Sequence, residues 1–191
     1  MIAVPDLYTD IYPVQNKKLK QLLIQNTEYR KVKKGEFIFY QGEVDGKLCF
    51  LESGVVVSNE ICPDGHSYYF NVVDQPGAVI AGGLGLDERY SPVNIIMQSS
   101  GGVFSIAMER ILLFRERYIE IMWFYNQILL KEYEKQWQSK KMLYLDTAAE
   151  RYDWFLENHP VAAEKVNDKI IARYLRMSPV TLSRLKNRRK E

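Results

Sequence analysis

Glycine and proline are distributed unevenly along this chain, and that unevenness limits its fold more than any other feature. All 11 glycines and five of the seven prolines lie in the first 102 residues, and neither type occurs from Val103 to His159. These residues punctuate turns and break helices, so the first part reads as a turn-rich β region and the next as a long helical one. The changeover falls near residues 102–115.

Within the β region, Gly35, Gly42, Gly54, Gly65 and Gly77 recur at gaps of 7, 12, 11 and 12 between segments rich in branched and aromatic residues. The clearest predicted strands are Leu48–Ser53, Val55–Ile61, His66–Val73, Val93–Gln98 and Val103–Met108, with Pro63-Asp64-Gly65 as a hairpin turn. Short strands at this spacing point to a β-sandwich, roll or barrel. Ahead of them, Leu19, Leu22 and Leu23 lie at helical spacing and predict a helix over Asn16–Asn26.

The helical region is predicted to run from about Glu109 to Leu145. One face carries Trp123, Leu130, Trp137 and Tyr144 at intervals of seven, with Ile119, Asn126, Tyr133 and Lys140 between them. Ile121, Phe124 and Ile128 form a second apolar set. Two apolar faces call for two partners: the β domain for one, and the same helix of a second chain for the other. Ile119, Trp123, Asn126, Leu130, Tyr133 and Trp137 are then the candidate dimer contacts. The polar Asn126 and Lys140 interrupt the seam and keep open the alternative that both faces pack within one chain. Thr147-Ala148-Ala149-Glu150 has capping-box spacing, so a new helix is expected after a hinge at Asp146, reaching about Asn158 and limited by Pro160.

Charge is concentrated at the other end. Over the whole chain Lys and Arg (26) nearly balance Asp and Glu (24). Residues 168–191 carry eight Lys and Arg against two acidic residues, a net +6 that leaves −4 on the remaining 167. A local cationic segment of this kind is the electrostatic footprint of a nucleic-acid reader. Ile170, Ile171, Ala172 and Leu175 give a first short helix its apolar face. Ser178 as N-cap and Pro179 as first helical residue then start a second helix with Leu182 and Leu185 inward. Val180, Thr181, Ser183, Arg184, Asn187 and Arg188 are left to face outward from this helix-turn-helix. Arg184 suits a bidentate contact with guanine. Ser178, Thr181 and Ser183 suit phosphates or single base edges, and Lys186, Arg188, Arg189 and Lys190 suit non-specific phosphate attraction.

Composition removes several other classes. At 47% apolar and 26% charged residues the chain is an ordinary globular one, and its longest apolar run, Ile121–Tyr125, is too short for a membrane-spanning helix. Cys49 and Cys62 are too few for a disulfide framework, a structural zinc site or a four-thiolate cluster, and read as thiols of a reducing compartment. His66 and His159 are remote in sequence and read as surface or packed residues rather than haem or metal ligands. Met1-Ile2-Ala3-Val4 meets Pro5 and Asp6 without a secretory pattern, so the cytoplasm is the expected location.

The run Ile171-Ala172-Arg173-Tyr174-Leu175-Arg176-Met177-Ser178-Pro179-Val180-Thr181-Leu182-Ser183-Arg184 resembles the helix-turn-helix of the Crp/Fnr family of bacterial transcription regulators. Lys34-Gly35-Glu36, Gln41-Gly42-Glu43, Leu51-Glu52-Ser53-Gly54 and Asp64-Gly65 resemble that family's glycine-punctuated cyclic-nucleotide-binding β-roll. Glu150-Arg151-Tyr152 resembles a pattern common between its dimer helix and DNA-binding domain. The resemblance implies an α+β chain with an N-terminal double-stranded β-helix (β-roll) over residues 1–108, a dimerisation helix over 109–145 and a helix-turn-helix domain over 146–191. It further implies double-stranded DNA, a second copy of the chain, RNA polymerase and a small-molecule effector as partners, with no catalytic residue and no bound metal.

Gly82-Gly83-Leu84-Gly85-Leu86 resembles the core of the family's phosphate-binding cassette, where backbone N–H groups receive the cyclic phosphate. Gly82, Gly83, Leu84, Gly85, Arg89, Tyr90 and Ser91 are therefore the candidate effector-pocket residues. The cassette's ribose-binding Glu is replaced by Gly83, and its Arg position falls near Tyr90-Ser91-Pro92, with Arg89 close by. A phosphate without that Arg loses a charge-assisted bidentate partner, so cyclic AMP is expected to bind weakly or not at all. At the other end Arg176 stands where relatives often have Gly, which predicts a strained or altered turn. Two rival readings stay open. One is an interaction module whose DNA-binding domain is degenerate. The other is a cupin-like enzyme, which needs clustered His and Glu ligands where this β region has only His66.

Overall fold

The structure, a computed structural model, describes residues 2–44, 46–80 and 90–189. A helical turn α1 (Val4–Asp6) runs into a π-turn over Leu7–Ile11, followed by α2 (Lys17–Asn26), whose first amides are capped by the Asn16 side chain. Then come β1 (Glu28–Val32), β2 (Phe37–Phe39), β3 (Lys47–Ile61), β4 (Ser67–Val73), β5 (Val79–Ile80) and β6 (Asn94–Ala107). All pairings are antiparallel, in the order β1-β6-β3-β4, with β2 added on β6 and β5 on β3. The helices that follow are α3 (Met108–Arg115), α4 (Glu120–Leu145), α5 (Ala148–Asn158), α6 (Pro160–Lys165), α7 (Asp168–Tyr174) and α8 (Pro179–Arg188).

Three sequence expectations are corrected by this arrangement. Leu48–Ser53 and Val55–Ile61 are one strand, β3, and Val93–Gln98 and Val103–Met108 are joined in β6. The glycines between them are bends inside strands rather than turns. Gly54 has φ +98°, and a Cβ on Gly101 would lie on the Ser53 carbonyl where the two strands cross, so both positions exclude a side chain. The helical region beyond them divides at Glu116–Ile119 although it holds no Gly or Pro. Ile111 of α3 and Ile121 and Phe124 of α4 all enter the same core, and the chain bends to bring both helices onto it. As expected, α5 ends at Asn158, ahead of Pro160, which also opens a helix of its own as first residue of α6.

Three apolar clusters hold the molecule together, and β3 serves all of them. Leu48 and Phe50 face the N-terminal helices and the first half of α4, beside Leu19, Leu23, Phe124 and Ile128. Cys49 and Leu51 point into the roll with Val73, Ile80, Ile95 and Met97. Beyond Gly54 the parity reverses: Val56 is inside the roll, while Val55 and Val57, with Val72 of β4, pack against Phe155, Ile171, Tyr174 and Leu182 of the C-terminal helices. Register shifts at Leu51/Ser53, Ser53/Val55 and Val55/Val56 produce this change of face.

In the first cluster the fully buried Tyr8 shares a 2.6 Å hydrogen bond with the Thr27 hydroxyl, and burial pushes its own hydroxyl up to about 12. The folded chain therefore holds this proton more tightly than the unfolded one. That stability is complete below the unfolded value of about 10 and is lost as pH rises through the folded one, a contribution of about 2–3 kcal/mol. Thermal melting against pH is expected to stay level up to about pH 10 and fall above it, with a shallower fall in Tyr8→Phe.

Candidate nucleic-acid interface and the contacts behind it

The helix-turn-helix is built from α7 and α8. The Asn167 side chain caps α7, and Ser178 caps α8 by accepting from the Thr181 amide at 3.0 Å. Ile171, Ala172, Leu175 and Leu182 are buried between the two helices and the rest of the domain, which leaves Ser178, Val180, Ser183, Arg184, Asn187, Arg188 and Arg189 exposed and Thr181 half-buried. The outward face is thus the one that the spacing of Leu182 and Leu185 predicts.

The candidate residues on that face are not equivalent. The Ser178 and Thr181 hydroxyls bond each other at 2.9 Å, so each has spare capacity for one further contact. Lys186 is paired with Asp168, and Arg189 with Asp153 while also lying 5.8 Å from the Tyr152 ring centroid. These pairs are partly exposed, and each is worth at most about 1 kcal/mol. Arg184 and Arg188 make no ion pair with any described residue, and they stand on the exposed face of the helix. Lys190 lies outside the described residues.

The turn between the helices has the strain that its sequence predicts. Arg176 has φ +51°, the one non-glycine with positive φ among the described residues. Its amide donates to Arg173 O at 3.1 Å and that of Met177 to Ala172 O at 2.9 Å, so the left-handed residue closes α7. Arg151 supports the same turn: one of its guanidinium nitrogens donates to Asp146 O at 3.2 Å, another to Arg176 O at 3.5 Å. In the Glu150-Arg151-Tyr152 run, Glu150 completes the cap on Thr147, Arg151 ties the interhelix joint to the turn, and Tyr152 enters the domain core. The Thr147 amide and hydroxyl hold the Glu150 carboxyl below the usual carboxylate range.

Two buried residues whose pairing the sequence does not reveal join this domain to the roll. Asp74, just after β4, is buried, with one carboxylate oxygen 3.0 Å from His159 Nδ1 and the other accepting from the Ala162 amide at 3.1 Å in the first turn of α6. His159 is packed among Trp154, Phe155 and Tyr174. The two residues are 85 positions apart, and neither lies in a recognisable motif. The only local hint is a polar residue directly before Pro160.

The candidate dimer residues occupy one open face of α4. Trp123 is 69% exposed, Leu130 62%, Tyr133 68% and Trp137 55%, and Ile119 and Asn126 are exposed as well. Ile121, Phe124 and Ile128 are buried, so one apolar face packs within the chain and the other does not. That removes the alternative in which a single chain covers both.

Of the candidate effector-pocket residues, Gly82, Gly83, Leu84, Gly85 and Arg89 lie outside the described residues. Tyr90 is exposed and bridges to Val44. Ser91 is buried, with its hydroxyl committed to Val93 O at 2.6 Å and its main chain to Gly42 and Glu43. His66 is exposed on the β3–β4 hairpin. Among the described residues no group of three or more His, Cys, Asp or Glu is placed to hold a metal ion, and no helix is long and apolar enough to cross a membrane.

No protein-family model matches the chain, and no curated protein does. Solved structures do. FixK2 from Bradyrhizobium japonicum superposes with a TM-score of 0.73 at 17% identity, covering 85% of this chain and 83% of that one. TTHB099, a transcriptional regulator of the CRP family from Thermus thermophilus, gives 0.66 at 20% identity, covering 84% and 85%. The c-di-GMP-responsive global regulator CLP from Xanthomonas campestris gives 0.65 at 16% identity, covering 89% of each. The chain therefore has the Crp/Fnr fold, a cyclic-nucleotide-binding-like β domain followed by a helical one.

Two substitutions test the joints. Asp74→Ala leaves His159 Nδ1 and the Ala162 amide without their shared acceptor and is expected to cost about 2–4 kcal/mol in urea denaturation; Asp74→Asn, which keeps one acceptor, costs less. At the turn, Arg176→Gly is expected to gain about 0.5–1 kcal/mol and Arg176→Val to lose at least about 1 kcal/mol, by the same measurement.

Proposed function

We propose that this chain is a homodimeric, sequence-specific DNA-binding regulator of transcription, and not an enzyme. The observation that carries the reading is α8: its outward face holds Val180, Ser183, Arg184, Asn187 and Arg188, its inward face is locked by Leu182, and it lies in a segment of net charge +6. Phosphate attraction from such a segment positions a helix on DNA, and side chains like Arg184 read base edges. The transcriptional regulators among the structural neighbours favour the same role.

The exposed seam of Trp123, Leu130, Tyr133 and Trp137 supports the dimer. A row of large apolar side chains on one face of a long helix is too costly to leave in water, and the matching helix of a second copy buries it heptad against heptad. Two copies then present two α8 helices to successive turns of the major groove, with RNA polymerase as a further partner and the cytoplasm as the place of action. The roll receives an effector that is not cyclic AMP at high affinity, because Gly83 has no carboxylate for the ribose and the Arg position falls at Tyr90-Ser91-Pro92.

Selection of bound sequences from random duplex DNA tests the reading. A two-fold symmetric motif is expected, with half-sites about 34–36 Å apart or a multiple of that. Arg184→Ala is expected to weaken binding to that motif by roughly 5- to 150-fold and to change non-specific binding far less. No salt-dependent DNA binding at all would assign the chain to the interaction-module class instead.

A further inference from the structure

Where α4 passes between the roll and the C-terminal helices, a cavity of about 350 Å³ opens away from the exposed seam. Its walls come from four parts of the chain: Tyr12 of the N-terminal segment, the 74–78 loop after β4, the Lys131–Gln138 face of α4, and Trp154 and His159 of the C-terminal domain. A concave site at a domain junction, at the lower end of the volumes that hold small molecules, is where ligands are most often bound.

Most polar groups at this junction already have partners. Asp74 is held by His159 and the Ala162 amide, and the Gln75 side chain donates to Asn158 O at 3.3 Å. Lys131 donates to Ile11 O at 2.6 Å and lies 4.5 Å from the Tyr12 ring centroid. Two charged groups on the same helical face are different. Lys135 and Glu132, one turn apart, are both half-buried, and neither makes a hydrogen bond or ion pair with any described residue. Burial pushes the Lys135 ammonium down and the Glu132 carboxyl up, and their attraction for each other, with that of Asp74 for Lys135, offsets this loss of hydration only in part. An ammonium and a carboxyl that line one cavity without a direct bond between them match a molecule that carries one group of each sign. The rings of Tyr12 and Trp154 offer its remaining atoms an apolar surface.

We propose that this cavity is a regulatory site for a zwitterionic metabolite of the α-amino-acid class, with its carboxylate on Lys135 and its ammonium on Glu132. Because its walls belong to the roll, to α4 and to the C-terminal domain, an occupant favours the arrangement in which all of them close on it. That coupling rests on the proposed DNA-binding function; the binding itself does not.

Calorimetric titration of the full chain near neutral pH with each proteinogenic L-amino acid provides the test, with acetate and methylammonium as single-charge controls. At least one amino acid is expected to bind once per chain with Kd below about 1 mM, and neither control at that strength. Lys135→Met, which keeps the aliphatic stem and the helix, and Glu132→Gln are each expected to weaken binding at least about tenfold, with thermal melting showing that both variants are folded. Absence of binding by every amino acid overturns the proposal, as does binding that neither substitution weakens. Acetate binding as tightly as its amino acid overturns the zwitterion assignment. The amino acid that binds is expected to change affinity for the selected DNA motif at least about fivefold. Binding with no change in DNA affinity overturns the regulatory role. Failure to bind any DNA overturns the function proposed above while the titration still reports on the cavity.

Discussion

The register shifts around Gly54 turn β3 inside out: odd-numbered Cys49 and Leu51 enter the roll before them, and even-numbered Val56 enters it after them. Without that change of parity, Val55 and Val57 would point into the roll and the C-terminal helices would lose two of the strand's valines. One strand therefore closes the roll, carries the N-terminal helices and α4 on its first half, and docks the helix-turn-helix domain on its second. Gly54 and Gly101 make this possible because neither has a Cβ where the two strands cross.

The junction between the halves is reinforced at three levels. Val55, Val57 and Val72 meet Phe155, Ile171 and Tyr174 in a continuous apolar cluster. Asp74 adds a buried polar contact that ends in the first turn of α6. The second half of α4 supplies Met142 to the same cluster and the Ser139 hydroxyl, 3.4 Å from that of Tyr174. Arg151 connects the α4–α5 joint to the turn of the helix-turn-helix through two main-chain carbonyls. The 74–78 loop and α4 are thus in direct contact with the helical domain that holds α7 and α8. The proposed amino-acid site lies among these contacts, where a modest difference in affinity between two arrangements is enough to shift their populations.

Much of this architecture is legible in the sequence because the signals are local. The caps at Thr147 and Ser178, the buried face of α8 and the strain at Arg176 each follow from residues within a few positions of one another. The two faces of α4 are legible from heptad spacing. Three strands escape such reading for physical reasons. β1 is a polar sequence exposed along most of its length, and β2 and β5 are only three and two residues long, so none presents an alternating pattern. Glycine is ambiguous in the same way: Gly65 marks a hairpin turn, whereas Gly54 and Gly101 lie inside strands, and the letter alone does not separate the two uses.

The sequence by itself determined the division into a β region and a helical one, the cationic C-terminal helix pair and its outward face, and the apolar seam along α4, because periodicity, capping chemistry and charge are properties of short stretches of chain. Only the tertiary structure decided that α4 begins at Glu120, that Lys186 and Arg189 are drawn into ion pairs while Arg184 and Arg188 are not, and that Asp74 meets His159 beside the cavity at Lys135. Those outcomes depend on residues far apart in the chain competing for the same buried space, and that competition is settled only when the roll, the long helix and the C-terminal domain pack together.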